Sequence, residues 1–274
     1  MRLPEDFAFS QASLQDFSEC PRRFLLRYVR RLSWPAIEAE PALENELHMQ
    51  QGARFHAMAH QLLLGVPEAQ LNPMAQEEPL SRWWQAFITH RPFAIEGARY
   101  PEITLAAPIG DYWLVAKYDL LMATEQGIVI LDWKTNRRRP RRSWLERRWQ
   151  TRVYPYLAVL AAGEITGTPV DPGQVEMIYW FAAEPGRPER FLYDQVRFHE
   201  DARAVNAVVQ DILTREEDDF QLTSEERHCR YCVYRSLCDR GVRAGAVDEQ
   251  EAEAEPEPTL DFELDFEQIA EIEF

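Results

Sequence analysis

Lysine is nearly missing from this sequence. Of 30 basic residues only Lys117 and Lys134 are lysines, and the other 28 are arginines. A compact ammonium on a flexible stem is therefore confined to two positions, and its use at position 134 points to work that a planar guanidinium fork does not do. Long apolar runs are also absent. None approaches the roughly 20 residues that cross a bilayer, and Met1 to Ser10 is too mixed for a charged-then-apolar leader. These absences predict a soluble, cytoplasmic chain with no membrane partner. Cysteine is scarce, with four in 274 residues. In a reducing compartment such thiols are ligands more readily than disulfides. No glycine-rich phosphate loop is present, so any nucleotide-driven motor belongs to a separate chain. No internal repeat is visible.

The net charge of −16 argues against a nucleic-acid partner only until its distribution is read. From Asp248 to Phe274 there are 12 acidic residues and no Lys or Arg, which leaves about −4 for the rest. Arg137, Arg138, Arg139, Arg141, Arg142, Arg147, Arg148 and Arg152 crowd one short span. A basic patch on a mildly acidic body suits a phosphate backbone. The plainer reading is a solvated helix face with partners such as Glu146.

Hydrophobic periodicity and turn residues predict helices over 10–32 (reopened by Pro21), 44–64 (ended by Gly65), 80–89, 143–162 and 201–214. Strands are predicted over 99–107, 112–122, 127–135, 174–181 and 190–196, with turns at Gly110-Asp111 and between Thr124 and Gly127. The order is helices, a three-strand meander, a helix, then strand, strand, helix. It predicts an α/β or α+β core with a mixed sheet.

The apolar strand Ile128 to Leu131 runs into Asp132, Trp133 and Lys134. Asp132 and Lys134 share a strand face. Asp119 lies on the preceding strand, and if the two strands pair, both carboxylates converge at one edge. Hard oxygen ligands there suit Mg²⁺ or Mn²⁺, and His56 on the second helix can add a nitrogen. A divalent ion, an ammonium and a row of arginines make a phosphodiester-cleaving set. Singly, each has a blander reading. A D-x-K at a strand end is commonly a solvated ion pair, and a helix histidine is commonly a surface or core residue, with His60 one turn on as a rival ligand.

Together these residues resemble the PD-(D/E)xK nuclease superfamily, and more closely its RecB-like branch. The resemblance rests on His56, on Asp119, on Asp132-Trp133-Lys134, and on Gln150 and Tyr154 in "QTRVY". It rests also on the opening "FSQASLQDFSECPRRFLLRYV" and on "CRYCVYRSLC", and it covers roughly residues 8 to 240. It implies a restriction-endonuclease-like core with flanking helices over residues 1–245 and an acidic disordered tail over 246–274. His56, Asp119, Asp132 and the Trp133 carbonyl are then metal ligands. Lys134 is catalytic together with the two aspartates and His56. Gln150, Tyr154, Arg137, Arg138, Arg148 and Arg152 meet DNA, with Gln150 and Tyr154 also supporting the site. Glu102 is a supporting acid. Pro155 departs from the pattern, because it disfavours helical geometry at Tyr154.

Cys20 stands far ahead of Cys229, Cys232 and Cys238, which follow one another at x₂ and x₅ spacing. Such thiolates can hold a four-iron cluster or Zn²⁺. In the RecB-like branch the layout resembles a [4Fe–4S] staple between the N-terminal helix and the C-terminal segment.

The activity implied is Mg²⁺- or Mn²⁺-dependent deoxyribonuclease action on single strands or DNA ends, exonuclease ahead of endonuclease, in repair, recombination or foreign-DNA processing. Two alternatives stand beside it: a non-cutting DNA-binding or recombination subunit, and a zinc-stapled hydrolase. The tail "LDFELDFEQIAEIEF" reads as a solvating end, or as a segment that docks a helicase, recombination or repair partner or covers the basic channel.

Overall fold

The computed structural model describes residues 2–33, 42–230 and 232–241. The acidic tail, residues 246–274, lies outside them. Strand β1 (Ala8–Ser10) passes directly into α1 (Gln11–Glu19). Ser10 caps that helix: its Oγ accepts from the Ser13 amide at 3.2 Å, and its own amide donates to Ser13 Oγ at 2.9 Å. The expected helix over 10–32 is broken at Cys20, which is extended with φ −159°. Pro21 restarts it as α2 (Pro21–Phe24), followed by a wide turn over Leu25–Val29. Then come α3 (Ala42–Leu63), stopped at Gly65 with φ +94°, α4 (Glu68–Leu71) and α5 (Leu80–His90).

Strands β2 (Ala98–Pro101), β3 (Thr104–Ile109), β4 (Tyr112–Lys117), β5 (Leu120–Thr124) and β6 (Gly127–Lys134) follow. After them come α6 (Arg142–Leu145), α7 (Trp149–Ala161), α8 (Gly163–Thr166), β7 (Val175–Phe181), β8 (Glu189–Leu192) and α9 (Gln195–Thr214). The helix expected over 143–162 is thus two helices, and Val196 belongs to α9 rather than to a strand. Asp194 explains the early start of α9, because its side chain accepts from the Arg197 amide at 2.8 Å.

The strands form two sheets, β1-β4-β3 and β2-β5-β6-β7-β8. The expected three-strand meander is corrected accordingly: both of its first strands cross from one sheet to the other. One register nevertheless runs throughout, from Ala98 opposite Ala123 to Ile109 opposite Tyr112. At the crossing the Glu102 amide donates to the Asp119 carbonyl at 3.1 Å, and the Tyr118 amide to the Ile103 carbonyl at 2.9 Å. The two segments are one long ribbon, bent where Glu102 takes φ +54°. Both predicted turns are present, with Ile109 opposite Tyr112 and Thr124 opposite Gly127. The parallel pairing of β6 with β7 makes the larger sheet mixed, as expected.

That sheet is covered on both faces. Ile128 and Ile130 pack toward Val153, Leu157 and Ala161 of α7. Leu131 and Trp133 pack toward Phe55 and Met58 of α3 and Trp83 and Phe87 of α5. Double coverage explains the near-continuous apolar run of β6, where alternation would have meant one wet face. Pro155 sits inside α7 without ending it. The expected loss of helical geometry at Tyr154 does not occur: its ring packs on Tyr118 at 4.8 Å, and its carbonyl accepts from Tyr118 Oη at 2.9 Å. Tertiary packing overrides the local preference.

Candidate active site

The bend in the ribbon builds the site. Strands β5 and β6 pair up to Leu120 opposite Leu131. At the next position the chain turns toward the smaller sheet, and the Asp119 side chain replaces the lost ladder. Its Oδ2 accepts from the Trp133 amide at 2.7 Å. The N–H and C=O of one strand residue point to the same edge, so the Trp133 carbonyl also faces this notch. The Lys134 carbonyl faces the other way, accepting from the Ala182 amide at 2.9 Å.

His56 of α3 reaches Asp119 Oδ1 with Nδ1 at 3.1 Å. That bond puts the proton on Nδ1 and leaves Nε2 as the nitrogen able to ligate. It is His56, not His60, that makes this contact. Burial pushes the His56 ring toward neutrality, but the Asp119 carboxylate, its hydrogen bond and the charge of Asp132 outweigh it, and its pKa is raised. Burial likewise pushes the Asp119 carboxyl up, while His56, the Trp133 amide and Lys134 hold it below its ordinary value.

Asp132 and Lys134 point together toward α7, as their spacing requires. Lys134 Nζ lies 3.0 Å from Asp132 Oδ2 and donates to Gln150 Oε1 at 2.7 Å. Gln150 Nε2 donates to Asp132 Oδ1 at 2.6 Å. One buried amide therefore bridges the carboxylate and the ammonium. Tyr179, opposite Asp132 on β7, lies beneath them: its ring centroid is 5.4 Å from Lys134 Nζ, and its hydroxyl is 2.8 Å from Thr151 Oγ1. Sequence reasoning missed Tyr179, since only the parallel register places it there. It also missed His48, whose Nε2 donates to the Thr135 carbonyl at 3.0 Å and ties the loop after Lys134 to α3.

His56, Asp119, Asp132, Lys134 and Gln150 are thus brought together. Tyr154 joins through the backbone, its hydroxyl donating to the Lys117 carbonyl at 2.9 Å. Gln150 and Tyr154 are both buried. Glu102 pairs with Lys117, the other lysine. The arginines divide. Arg137 and Arg138 are exposed on the loop after β6. Arg139 pairs with Glu189, Arg148 with Glu19 at 2.8 Å, and Arg152 with Asp201 at 2.6 Å. Arg148 and Arg152 therefore hold the fold together, through partners far away in sequence.

Two carboxylates, an imidazole and a backbone carbonyl are donors of the type a hard divalent cation takes. Here Asp119 bonds to His56 and to the Trp133 amide, while Asp132 bonds to Lys134 and Gln150. Among the described residues, no three His, Cys, Asp or Glu side chains stand as a preformed metal cage.

The four cysteines carry no disulfide. Cys20 is brought toward the others because the C-terminal segment docks on α1 and α2. The Arg22 amide donates to the Gln221 carbonyl at 3.2 Å, and Arg23 Nη1 to the His228 carbonyl at 3.5 Å. The thiols of Cys229, Cys232 and Cys238 are all pushed up, first by burial and also by the charge of Cys20. Among the described residues, the cysteines are not assembled into a metal-binding group.

A profile of the PD-(D/E)XK nuclease superfamily matches residues 8–239. The chain belongs to that superfamily. The mixed sheet with flanking helices is its restriction-endonuclease-like fold, and the superfamily's nucleases generally use divalent metals such as Mg²⁺ or Mn²⁺. No curated protein matches the chain. Among solved structures, a Eubacterium rectale protein described as a "Putative exonuclease" aligns at 13% identity and TM-score 0.47, covering 75% of this chain and 80% of that one. The protein SSO0001 aligns at 11% identity and TM-score 0.41, covering 86% and 88%. Among the described residues, no helix is long and apolar enough to cross a membrane.

Proposed function

We propose that this PD-(D/E)XK nuclease is a Mg²⁺- or Mn²⁺-dependent deoxyribonuclease of the RecB-like branch, acting in the cytoplasm on single strands or DNA ends. It acts as an exonuclease in repair, recombination or foreign-DNA processing. The observation that carries the reading is the notch at the ribbon bend, where Asp119, Asp132 and His56 meet the ends of β5 and β6 with Lys134 beside them. His56, Asp119, Asp132 and the Trp133 carbonyl hold the ion. When bound, the ion neutralises the phosphate and lowers the pKa of water. Lys134 places its ammonium where negative charge develops on the phosphate. Gln150 fixes that ammonium relative to Asp132, and Tyr154 fixes the strand leading to Asp119. Arg137 and Arg138 meet the DNA backbone.

Cys20, Cys229, Cys232 and Cys238 hold a [4Fe–4S] cluster, with Zn²⁺ as the alternative. The nuclease domain spans residues 1–245. The tail, 246–274, serves a helicase or recombination partner, and deleting it leaves cleavage intact. Faster cleavage or tighter DNA binding by the truncated chain would point instead to self-inhibition.

Labelled single- and double-stranded DNA incubated with the protein and Mn²⁺ or Mg²⁺ tests the activity. Cutting that disappears in Asp132→Asn and Lys134→Ala, with circular dichroism unchanged, is expected. Salt-sensitive DNA binding with no metal-dependent cutting would make the chain a binding subunit instead.

A further inference from the structure

We propose that Glu19 is a positioning residue for the nuclease reaction: through Arg148 it fixes the first turn of α7 and hence the Gln150 amide that bridges Asp132 and Lys134. This rests on the active site proposed above. Glu19 acts through Arg148, not on the reacting groups directly.

Helix α7 begins without a cap of its own, since Arg148 supplies no side-chain hydrogen bond at its N-terminus. The cap comes from α1. The Trp149 amide, one of the donors a helix start leaves unpaired, donates to Gln15 Oε1 at 3.1 Å. Trp149 Nε1 donates to Ser18 Oγ at 2.8 Å. Arg148 Nη1 donates to Glu19 Oε1 at 2.8 Å, and Gln15 Nε2 donates to the same oxygen at 2.8 Å. The Arg148 guanidinium also stacks on Trp144 at 4.7 Å, which limits its freedom. Gln150 is the next residue, so a shift of the helix start moves its amide directly.

Glu19 is also the point where the cysteine end of the chain attaches. Its other oxygen takes Arg23 and lies 3.6 Å from His228 Nδ1, next to Cys229. Cys20 follows Glu19 in the chain. One carboxylate thus joins the end of α1, the start of α7 and the cysteine-bearing segment. Its neighbours Arg23 and Arg148 are themselves largely buried, with side chains 14% and 13% exposed. Such a pair is screened little by salt and holds its geometry. A misplacement of about 1 Å at a catalytic constellation costs on the order of 10²-fold in rate, so a partial loosening is expected to cost about tenfold.

The test compares Glu19→Gln, Arg148→Met, Arg148→Lys and Trp149→Phe with the unaltered protein and with Asp132→Asn. Three quantities are measured: single-turnover cleavage at saturating DNA with Mg²⁺, DNA affinity in Ca²⁺, and iron or zinc content. Positioning predicts a rate about tenfold lower in Glu19→Gln and Arg148→Met. In Arg148→Met DNA affinity stays within about twofold and metal content is unchanged, and Arg148→Lys recovers part of the rate. The Glu19→Gln/Arg148→Met double variant is no slower than Glu19→Gln alone, because the Arg148 link is already broken there. If Arg148→Met does not fold, Glu19→Gln and Arg148→Lys test the same link. Weakened DNA affinity with a normal saturated rate would make Arg148 a DNA contact and overturn the proposal. Normal rates in all these variants, with Asp132→Asn inactive, would overturn it while leaving the active site standing. An active Asp132→Asn would instead refute the active-site reading itself.

Discussion

Replacing Gln150 with Leu isolates the link between Asp132 and Lys134. The side chain is 4% exposed, so no solvent stands ready to replace it. Its amide donates to Asp132 at 2.6 Å and accepts from Lys134 at 2.7 Å. Leu fills a similar volume but satisfies neither. A hydrogen bond to a charged group is worth about 1.5–3 kcal/mol. The two charged partners keep each other, at 3.0 Å, which offsets part of the loss. A net cost of about 3 kcal/mol is expected, equivalent to a melting temperature lower by about 6–12 °C for a domain of this size. The rate consequence is separate. Lys134 loses its bond to Gln150 while keeping Asp132 and the Tyr179 ring, and single-turnover cleavage at a temperature where the variant is folded should fall by about 10²-fold. Differential scanning calorimetry and rapid-quench cleavage read the two effects. A variant that melts and cuts like the unaltered protein would show that the amide bridge is incidental and that the orientation argument is wrong.

Other consequences can be checked alongside it. A Cβ on Gly52 of α3 would lie 2.9 Å from Thr135 Oγ1, so Gly52→Ala should slow cleavage by displacing the residue after Lys134, and Gly52→Ala/Thr135→Ala should recover most of the rate. Burial pushes Glu19 up, but Arg23 and Arg148 hold its carboxyl below the ordinary 4.5. A lowered folded-state pKa means stability present above 4.5 and lost as pH falls through the lowered value. In urea unfolding the unaltered protein should therefore exceed Glu19→Gln at pH 7, with the gap closing in acid; a constant gap would contradict the ion pair. Protein purified without oxygen should be brown with broad visible absorption, and Cys229→Ser should lose both the colour and the protease resistance of residues 221–238; colourless protein holding zinc would decide for the alternative metal.

Much of this architecture was legible locally. The alternation and turn residues placed the ribbon, because Gly110 and the Thr124–Gly127 turn fix its register. The two-face burial of β6 was readable from its unbroken apolar run. The bend was not. Nothing in Glu102 or Tyr118 announces a change of sheet, and a non-glycine residue at positive φ there is held by tertiary contacts. The pairing of β1 with β4 joins residues a hundred positions apart, which no local pattern encodes. The site divides in the same way. Asp132 and Lys134 shared a face by simple alternation, whereas the arginine run did not show its partners. Its charges looked available in sequence, but Glu19 and Asp201, which neutralise Arg148 and Arg152, come from distant helices. Tyr179 entered only through parallel register.

Whether the notch at the ribbon bend binds a divalent cation is decided by Mn²⁺ titration followed by electron paramagnetic resonance. Saturable Mn²⁺ binding is expected, competed by Mg²⁺, abolished in Asp119→Asn/Asp132→Asn, and retained in Lys134→Ala. Mn²⁺ bound equally well by the folded double variant would contradict it.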